Sequence, residues 1–254
     1  MNKLGLYLHF PFCKAKCAYC DFFSLPDLSR RADYERALAR AVRSLQGELS
    51  DYTVETVYFG GGTPSLFSPD GLRACLSAIR ESARVSSDAE ITLECNPEST
   101  TEDVLSAARK SGVNRLSFGM QSARDGELAC IGRLHRNEKT VSAVRLARGL
   151  GFENISLDLM YGLPGQDLAS FRESLEACLA LNPKHISFYC LTLSPEVPLY
   201  EKRESLPSEE AVREMYLFAH QSLVASGFEH YEISNAALPG FRSRHNEGYW
   251  MGRE

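Results

Sequence analysis

Three cysteines near the start of the chain have the spacing of a metal centre. Cys13, Cys17 and Cys20 form the pattern CxxxCxxC directly after the largely apolar run Leu4–Phe12. Iron–sulfur clusters are held by cysteine thiolates, normally four for a [4Fe–4S] centre. Three thiolates leave one iron without a protein ligand, and an open coordination position is typical of a reactive metal site. The spacing therefore favours a [4Fe–4S] cluster that binds a further ligand.

A zinc site is the alternative interpretation of the same cysteines. His9 would then supply a fourth ligand, because zinc prefers tetrahedral coordination by Cys and His. Zinc-binding sequences usually contain two CxxC pairs separated by a longer span, which this sequence lacks. Lys14 and Lys16 between the cysteines also make them poor candidates for core residues. The iron–sulfur interpretation is favoured, and a zinc-stabilised binding module stays open as the non-enzymatic alternative.

Glycines and polar side chains recur where later strands are expected to end. The run Gly60–Pro64 lacks the Lys-Ser/Thr of a phosphate-binding loop, but its glycines would let a ligand approach the backbone. Further along stand the polar residues Glu94, Gln121, Arg133 and Asp158. A guanidinium pairs with a carboxylate, while carboxylates and amides bind hydroxyls and positive charges. Together these groups suit a zwitterionic ligand with sugar hydroxyls, although each alone would be an ordinary polar residue at a barrel rim.

Six strand-like runs alternate with six helical patterns. Strands are predicted at Leu4–Phe10, Val54–Phe59, Glu90–Cys95, Arg115–Phe118, Asn154–Tyr161 and His185–Leu193. Helices are predicted at Tyr34–Leu49, Pro69–Ala83, Thr101–Ser111, Asn137–Gly149, Asp167–Leu181 and Glu209–Ser226. Ser68, Thr100 and Ser208 are the expected N-caps. Alternating strands and helices indicate a parallel sheet with right-handed crossovers.

The distribution of the polar residues decides between two parallel folds. A doubly wound sheet concentrates functional groups at one switch point, whereas a barrel gathers them from many successive strand ends. We therefore predict an α/β fold, an incomplete (β/α)6 TIM-like barrel with outer helices, over residues 1–227. Residues 228–254 are interpreted as the start of a truncated C-terminal extension, with a strand at Phe228–Asn235 and a loop at Ala236–Glu254.

Composition excludes several other classes of protein. The 254 residues are 44% hydrophobic, enough for one sizeable core, and the net charge of −5 argues against nucleic acid as a partner. No run approaches the about 20 apolar residues of a membrane span, and Pro11 interrupts the first apolar run. We expect a cytoplasmic protein, with any membrane contact peripheral and made through a partner. Its eight cysteines are therefore not a disulfide framework.

The cysteine pattern and its surroundings resemble the radical-SAM superfamily. The runs Tyr7-Leu-His-Phe-Pro-Phe-Cys13 and Cys20-Asp-Phe-Phe are similar to the branch that contains oxygen-independent coproporphyrinogen oxidase and the HemW-type haem chaperones. The similarity continues through Phe59-GGGTP, Gly119-Met-Gln121-Ser, Ile131-Gly-Arg-Leu-His135, Asp158-Leu-Met-Tyr-Gly-Leu-Pro164-Gly and Tyr231-Glu-Ile-Ser-Asn235.

This resemblance implies a set of cofactors and the residues that bind them. It implies the radical-SAM form of the barrel, a [4Fe–4S] cluster on Cys13, Cys17 and Cys20, and S-adenosylmethionine (SAM). The family's cofactor-binding positions correspond here to Tyr7, Tyr19, Gly62, Thr63, Glu94, Gln121, Arg133 and Asp158. The superfamily cleaves SAM by one-electron reduction. Whether this chain does so, or uses its cluster structurally, is left open by the sequence.

The run His245-Asn246-Glu-Gly-Tyr249-Trp250 resembles the HNxxYW motif of the haem chaperone branch, whose histidine is implicated in haem binding. The resemblance implies haem as cargo, with His245 as a ligand, for an acceptor haemoprotein. The sequence identifies neither that acceptor nor the electron donor.

Two departures separate the chain from the oxidase. Phe22 stands where the oxidase motif continues with a fourth cysteine, and the oxidase's N-terminal extension before the first strand is absent from this sequence. Haem transfer is therefore favoured over oxidation of coproporphyrinogen, and a radical-SAM methyltransferase is the third alternative.

Overall fold

The computed structural model describes residues 2–252 of the chain. One curled sheet of eight strands forms a half-barrel in the described range, in the order β1-β2-β3-β4-β5-β6-β8-β7. The strands are β1 (Asn2–Phe10), β2 (Tyr52–Gly61), β3 (Arg84–Cys95), β4 (Arg115–Gln121), β5 (Asn154–Tyr161), β6 (His185–Cys190), β7 (Glu229–Glu232) and β8 (Asn235–Ala237). Strands β1 to β6 pair in parallel and in sequence order. The predicted α/β fold with six parallel strands is confirmed.

Helices follow or precede the parallel strands. They are α1 (Arg31–Ser44), α2 (Gln46–Leu49), α3 (Pro69–Ser82), α4 (Glu102–Lys110), α5 (Asp125–Cys130), α6 (Asn137–Gly149), α7 (Leu168–Ala180), α8 (Glu209–Ala225) and α9 (Arg244–Trp250). Alternation along β2 shows how the layers separate: Val57 and Phe59 are buried in the apolar core, while Tyr58 faces a cavity inside the barrel. No helix within residues 2–252 is long and apolar enough to span a membrane.

Two of the three expected N-caps are confirmed. The Ser68 hydroxyl accepts a hydrogen bond from Gly71 N at 2.9 Å, and Ser208 caps α8 in the same way. The cap of α4 is Thr101 rather than Thr100. The hydroxyl of Thr100 instead donates to Asn96 O at 2.8 Å, a bond to the preceding turn that the sequence does not reveal.

The expected loop at Ala236–Glu254 is wrong for about half of its length, because β8 and α9 occupy that part. The preceding strand breaks into β7 and β8, which pair antiparallel with each other, and β8 also pairs antiparallel with β6. Helix α9 then begins after Ser243, whose side chain accepts from Asn246 N. Glu254 lies outside the described residues. So short a helix has little stability of its own, and its contacts with the barrel, which sequence periodicity does not encode, stabilise it.

Helix α9 lies against the inner face of the sheet, towards the amino ends of the strands. The buried carboxylate of Glu90 on β3 accepts hydrogen bonds from the backbone N–H groups of Arg244 and His245, at 3.2 Å each. These amides belong to the first turn of α9, where a helix has unpaired donors and a partial positive charge. The helix thereby closes one end of the barrel and leaves the carboxyl end open.

Candidate functional site

A cavity of about 500 Å³ opens at the carboxyl ends of the parallel strands. Its walls contain every site residue proposed from the sequence except Tyr7 and His245. The proposed residues in its walls are Cys13, Cys17, Tyr19, Cys20, Gly62, Thr63, Glu94, Gln121, Arg133 and Asp158. They come from distant parts of the chain, and the parallel strands bring them together because their carboxyl ends meet at one edge.

The cysteine loop forms one wall of the cavity. Its three thiols are partly buried, and Thr63 Oγ1 donates a hydrogen bond to Cys13 Sγ at 3.3 Å. Arg133 Nη1 donates to Cys17 Sγ at 3.7 Å. Burial raises the pKa of the Cys17 thiol, whereas the Arg133 charge acts in the opposite direction. A bound metal would hold the three cysteines as thiolates.

The thiols fit a cluster better than a single zinc ion. No three His, Cys, Asp or Glu side chains within the described range 2–252 converge closely enough to hold one metal ion. His9, the zinc alternative's fourth ligand, has both ring nitrogens engaged, Nδ1 with Tyr7 Oη at 3.3 Å and Nε2 with Phe23 O at 3.1 Å. The three thiols border a shared open space instead. A multi-iron cluster spans such a space between separate sulfur ligands.

Arg133 lies beside the thiols with one donor unused. Its Nη2 donates to Asn96 Oδ1 at 2.7 Å and to Gly119 O at 2.8 Å. Its Nε is buried and has no hydrogen-bond partner. Buried polar atoms in proteins are almost always paired, so an unpaired donor in a cavity wall indicates a ligand position. A planar guanidinium is well suited to bind a carboxylate there.

Two carboxyl groups face the same cavity. Glu94 accepts hydrogen bonds from Tyr58 Oη at 2.8 Å and from Gly61 N at 3.2 Å. Asp158 accepts from Ser117 Oγ at 3.0 Å. Burial raises the pKa of Glu94 to about 7 and that of Asp158 to about 6. A cationic ligand would favour their ionised forms, so binding of such a ligand should strengthen as the pH rises through this range.

The remaining cavity residues shape its walls. Gln121 ends β4 in the left-handed region, at φ 65°, and its Oε1 accepts from Tyr189 Oη at 2.7 Å. Gly62 is constrained by the protein itself: an added Cβ would lie 2.8 Å from both Phe10 O and Phe12 O. We expected the glycines to admit a ligand. At Gly62 the absent side chain instead lets the loop after β2 contact the strand that leads to the cysteines.

Tyr7 and His245 lie together outside the cavity lining. His245 stacks on Tyr58 with ring centroids 4.9 Å apart, and Tyr7 stacks on the same ring at 6.1 Å. His245 is buried, with Nδ1 hydrogen-bonded to Thr56 Oγ1 at 2.8 Å and Nε2 to Tyr249 Oη at 3.2 Å. Burial lowers the pKa of His245 to about 4, so the imidazole is neutral at physiological pH.

Several polar residues of the cavity were missed from the sequence. They are Tyr58, Asn96, Arg115, Ser117, Tyr189 and Asn246. A signal existed for some of them, because a polar residue at alternate positions of an otherwise apolar strand marks the inner face of a barrel. Arg115, which opens the predicted strand Arg115–Phe118, is the clearest example. Asn246 offered no such signal, since it reaches the cavity only through the placement of α9.

Comparison with known proteins identifies the family of the chain. The sequence profile of the Radical SAM superfamily matches residues 7–178. The chain therefore belongs to the Radical SAM superfamily and, within it, to the coproporphyrinogen III oxidase-like branch that contains HemW. Membership of this superfamily implies a [4Fe–4S] cluster and SAM as cofactors.

Individual proteins of this branch are similar to the chain over nearly its whole length. It is 37% identical over 252 residues to "Heme chaperone HemW" of Escherichia coli (strain K12), and 37% identical over 254 residues to that of Bacillus subtilis (strain 168). Each alignment covers 98% of this chain and 67% of the relative. The structure of coproporphyrinogen III oxidase (HemN) from Escherichia coli, a Radical SAM enzyme, is 26% identical with a TM-score of 0.86. That match covers 99% of this chain and 58% of the oxidase chain.

Proposed function

We propose that the protein is a haem chaperone of the radical-SAM type, which binds haem in the cytoplasm and delivers it to an acceptor haemoprotein. The cluster binds Cys13, Cys17 and Cys20, and SAM binds in the adjoining cavity. The observation that supports the cofactor site is the convergence of three thiols, an unpaired guanidinium donor and two carboxyl groups on one cavity. The haem function is supported by relatives of 37% identity that are named haem chaperones.

The cavity residues match the functional groups of SAM. Arg133 would bind the carboxylate through its unpaired Nε. Glu94 and Asp158 would bind ribose hydroxyls and offset the positive charges of the ammonium and the sulfonium. The cluster, when bound, would supply the single electron that superfamily members use to cleave SAM. The chain's own contribution is to orient the cofactor and exclude water from it.

Haem ligation by His245 requires a local change at its ring. Both nitrogens are hydrogen-bonded, but the two partners differ: Thr56 is buried, whereas Tyr249 is 65% exposed. Breaking the hydrogen bond to Tyr249 therefore disturbs the fold less than breaking the one to Thr56. We propose Nε2 as the atom that binds the haem iron. The lowered pKa of His245 favours this role, because only the neutral imidazole coordinates iron. The exposed side chain of Trp250 lies on the same short helix, and the exposed Met251 follows it.

A haem titration of the anaerobically reconstituted protein tests this proposal. His245→Ala should lose or shift the Soret band while the cluster absorbance stays, because the two sites use different residues. Tyr249→Phe should bind haem about 2- to 10-fold more tightly, since it removes the hydroxyl that competes for Nε2. His220→Ala, on α8, is the matched control. Unchanged haem binding in His245→Ala would remove the ligand assignment.

Coproporphyrinogen oxidation is the second candidate, favoured by the fold similarity to the oxidase. Phe22, at the position of the fourth cysteine in the oxidase motif, is 67% exposed at the edge of the cavity and provides no thiol. We expect no conversion of coproporphyrinogen to protoporphyrinogen when SAM and a reductant are supplied to the reconstituted protein. Turnover in that assay would replace the chaperone proposal.

A further inference from the structure

Arg115 is a buried cation without an ion pair. Its side chain is 1% exposed, its Nε has no hydrogen-bond partner, and it makes no salt bridge to another described residue of the range 2–252. It lines the cavity from the first residue of β4, below the level of Gln121 at the other end of that strand. Burying an unpaired charge costs several kcal/mol in general, so groups that interact with the Arg115 charge are expected nearby.

Two carboxyl groups lie on the strands on either side of β4, nearer the open end of the cavity than Arg115. Glu94 on β3 pairs with Ser117, and Asp158 on β5 pairs with Gly119, two and four residues after Arg115 on β4. Both line the same cavity as Arg115, and both face open space on the ligand side. Other titratable groups face this region from every adjoining element: Tyr58 on β2, Glu90 on β3, His185 on β6, Tyr231 on β7, and His245 on α9. The histidines are neutral and the tyrosines protonated, and the Glu90 carboxylate is bound by the amides of α9. Glu94 and Asp158 are therefore the acids that share the cavity with Arg115.

We propose that Arg115 is a positioning residue for SAM. The positive charge of Arg115 offsets the burial and the mutual repulsion of Glu94 and Asp158, so that both are ionised when the cationic cofactor binds. This inference rests on the proposed binding of SAM in the cavity. It assigns Arg115 a role through its neighbours, distinct from the direct carboxylate contact proposed for Arg133. The cavity would then have the Arg133 cation near its thiols and two carboxylates between the opening and Arg115, which matches a ligand with one carboxylate and two positive charges.

The electrostatics support this assignment. Burial raises the pKa of Glu94 and Asp158 to about 7 and about 6, and the Arg115 charge acts against that rise at both groups. Without Arg115 both pKa values would rise further, and a larger fraction of both groups would be protonated at pH 7. A protonated carboxyl group no longer attracts the sulfonium or the ammonium, so the same affinity for SAM would be reached only at a higher pH.

The test is the pH profile of SAM affinity, measured by calorimetry on the cluster-containing protein from pH 6 to pH 9. Wild-type affinity should rise through about pH 6–7 and then level off. In Arg115→Met this rise should move upward by about one pH unit or more, which lowers affinity about tenfold or more at pH 7 and restores it at pH 9. Arg115→Lys should restore most of the wild-type profile, because it keeps a positive charge in place. Arg145→Met, an exposed arginine on α6, is the control.

Ligand analogues separate this role from direct binding. If Arg115 bound the SAM carboxylate itself, Arg115→Met would not lower the affinity for decarboxylated SAM. If Arg115 is a positioning residue, Arg115→Met lowers the affinity for SAM and for decarboxylated SAM alike. Should Arg115→Met fail to fold, the double variant Glu94→Gln/Asp158→Asn tests the same claim and should flatten the pH profile. An unshifted profile in Arg115→Met, or an unchanged one in the double variant, overturns the inference. Absence of SAM binding to the wild type would instead overturn the proposed function.

Discussion

The two ends of the barrel use similar polar residues in opposite ways. At the closed end, His185 pairs with Ser156 Oγ and Tyr231 Oη at 2.8 Å each, and His245 pairs with Thr56 and Tyr249. At the open end, Arg133 keeps an unpaired donor, and the acids there have raised pKa values. The two histidines pair within the protein and stabilise the fold, whereas the unpaired donor of Arg133 faces a cavity and is available to a ligand. The difference shows that polarity alone does not locate a site; at Arg133 an unpaired donor and a cavity occur together.

The largest effect should come from removing a thiol at the open end. Cys17→Ala should reduce the iron and sulfide of the reconstituted protein from about four each per chain to background, because two remaining thiolates hold a [4Fe–4S] cluster poorly. Iron and sulfide analysis measures this. Cys178→Ala, in the apolar core on α7, should keep both. Stoichiometric zinc without sulfide in the wild type would contradict the cluster assignment.

Arg133→Ala should weaken SAM binding by about 2–5 kcal/mol, because the ligand carboxylate is left without its partner in a partly buried site. Arg133→Lys should recover only part of this, since it lacks the planar fork of the guanidinium. Calorimetry with SAM measures both. Arg124→Ala, which removes an exposed salt bridge to Glu173, should leave affinity unchanged. Equal affinity in Arg133→Ala and wild type would exclude Arg133 from the site.

Acid should destabilise the closed end of the barrel. The pKa of His245 is about 4 in the folded protein and about 6.5 when unfolded, so between these values the unfolded chain binds more protons. Above pH 6.5 this group therefore does not affect the free energy of unfolding. As the pH drops towards 4 that free energy falls, and at pH 5 it is about 2 kcal/mol below its value above pH 6.5. Urea unfolding at pH 7.5 and pH 5 measures the loss. It should be smaller in His245→Gln; the same loss in both proteins would contradict the prediction.

The smallest effect concerns a wall of the open cavity. Tyr189→Phe removes the hydroxyl that donates to Gln121 Oε1, and we expect it to lower the free energy of unfolding by about 1 kcal/mol. Urea unfolding without SAM measures this. Tyr200→Phe, whose ring lies under the Arg203 guanidinium outside the cavity, is a matched control and should change stability less. An equal effect in the two variants would mean that the Gln121 contact contributes nothing specific.

Much of the open end could be predicted because its chemistry is local in sequence. The spacing of Cys13, Cys17 and Cys20 is readable directly, and the six strands follow from short β-branched and aromatic runs. The parallel arrangement then requires the strand ends to meet. These steps need only periodicity and chain connectivity.

The closed end could not be predicted in the same way, because contacts distant in sequence create it. Helix α9 is too short to show a periodic pattern, and its first turn depends on Glu90, more than 150 residues earlier in the chain. The burial of His245 follows from that docking, so the sequence indicated only a histidine in a loop. Arg115 was missed for a related reason: its unpaired state depends on what the neighbouring strands place around it.

The tight contact at Gly62 has a consequence for maturation of the protein. Gly62 N donates to Phe10 O at 2.7 Å, so the loop after β2 and the strand that leads to the cysteines cannot move independently. Binding of the cluster beside one segment and of SAM beside the other, as proposed above, would therefore be coupled. By reciprocity, cluster insertion would then change the affinity for SAM by the same factor as SAM changes the affinity for the cluster.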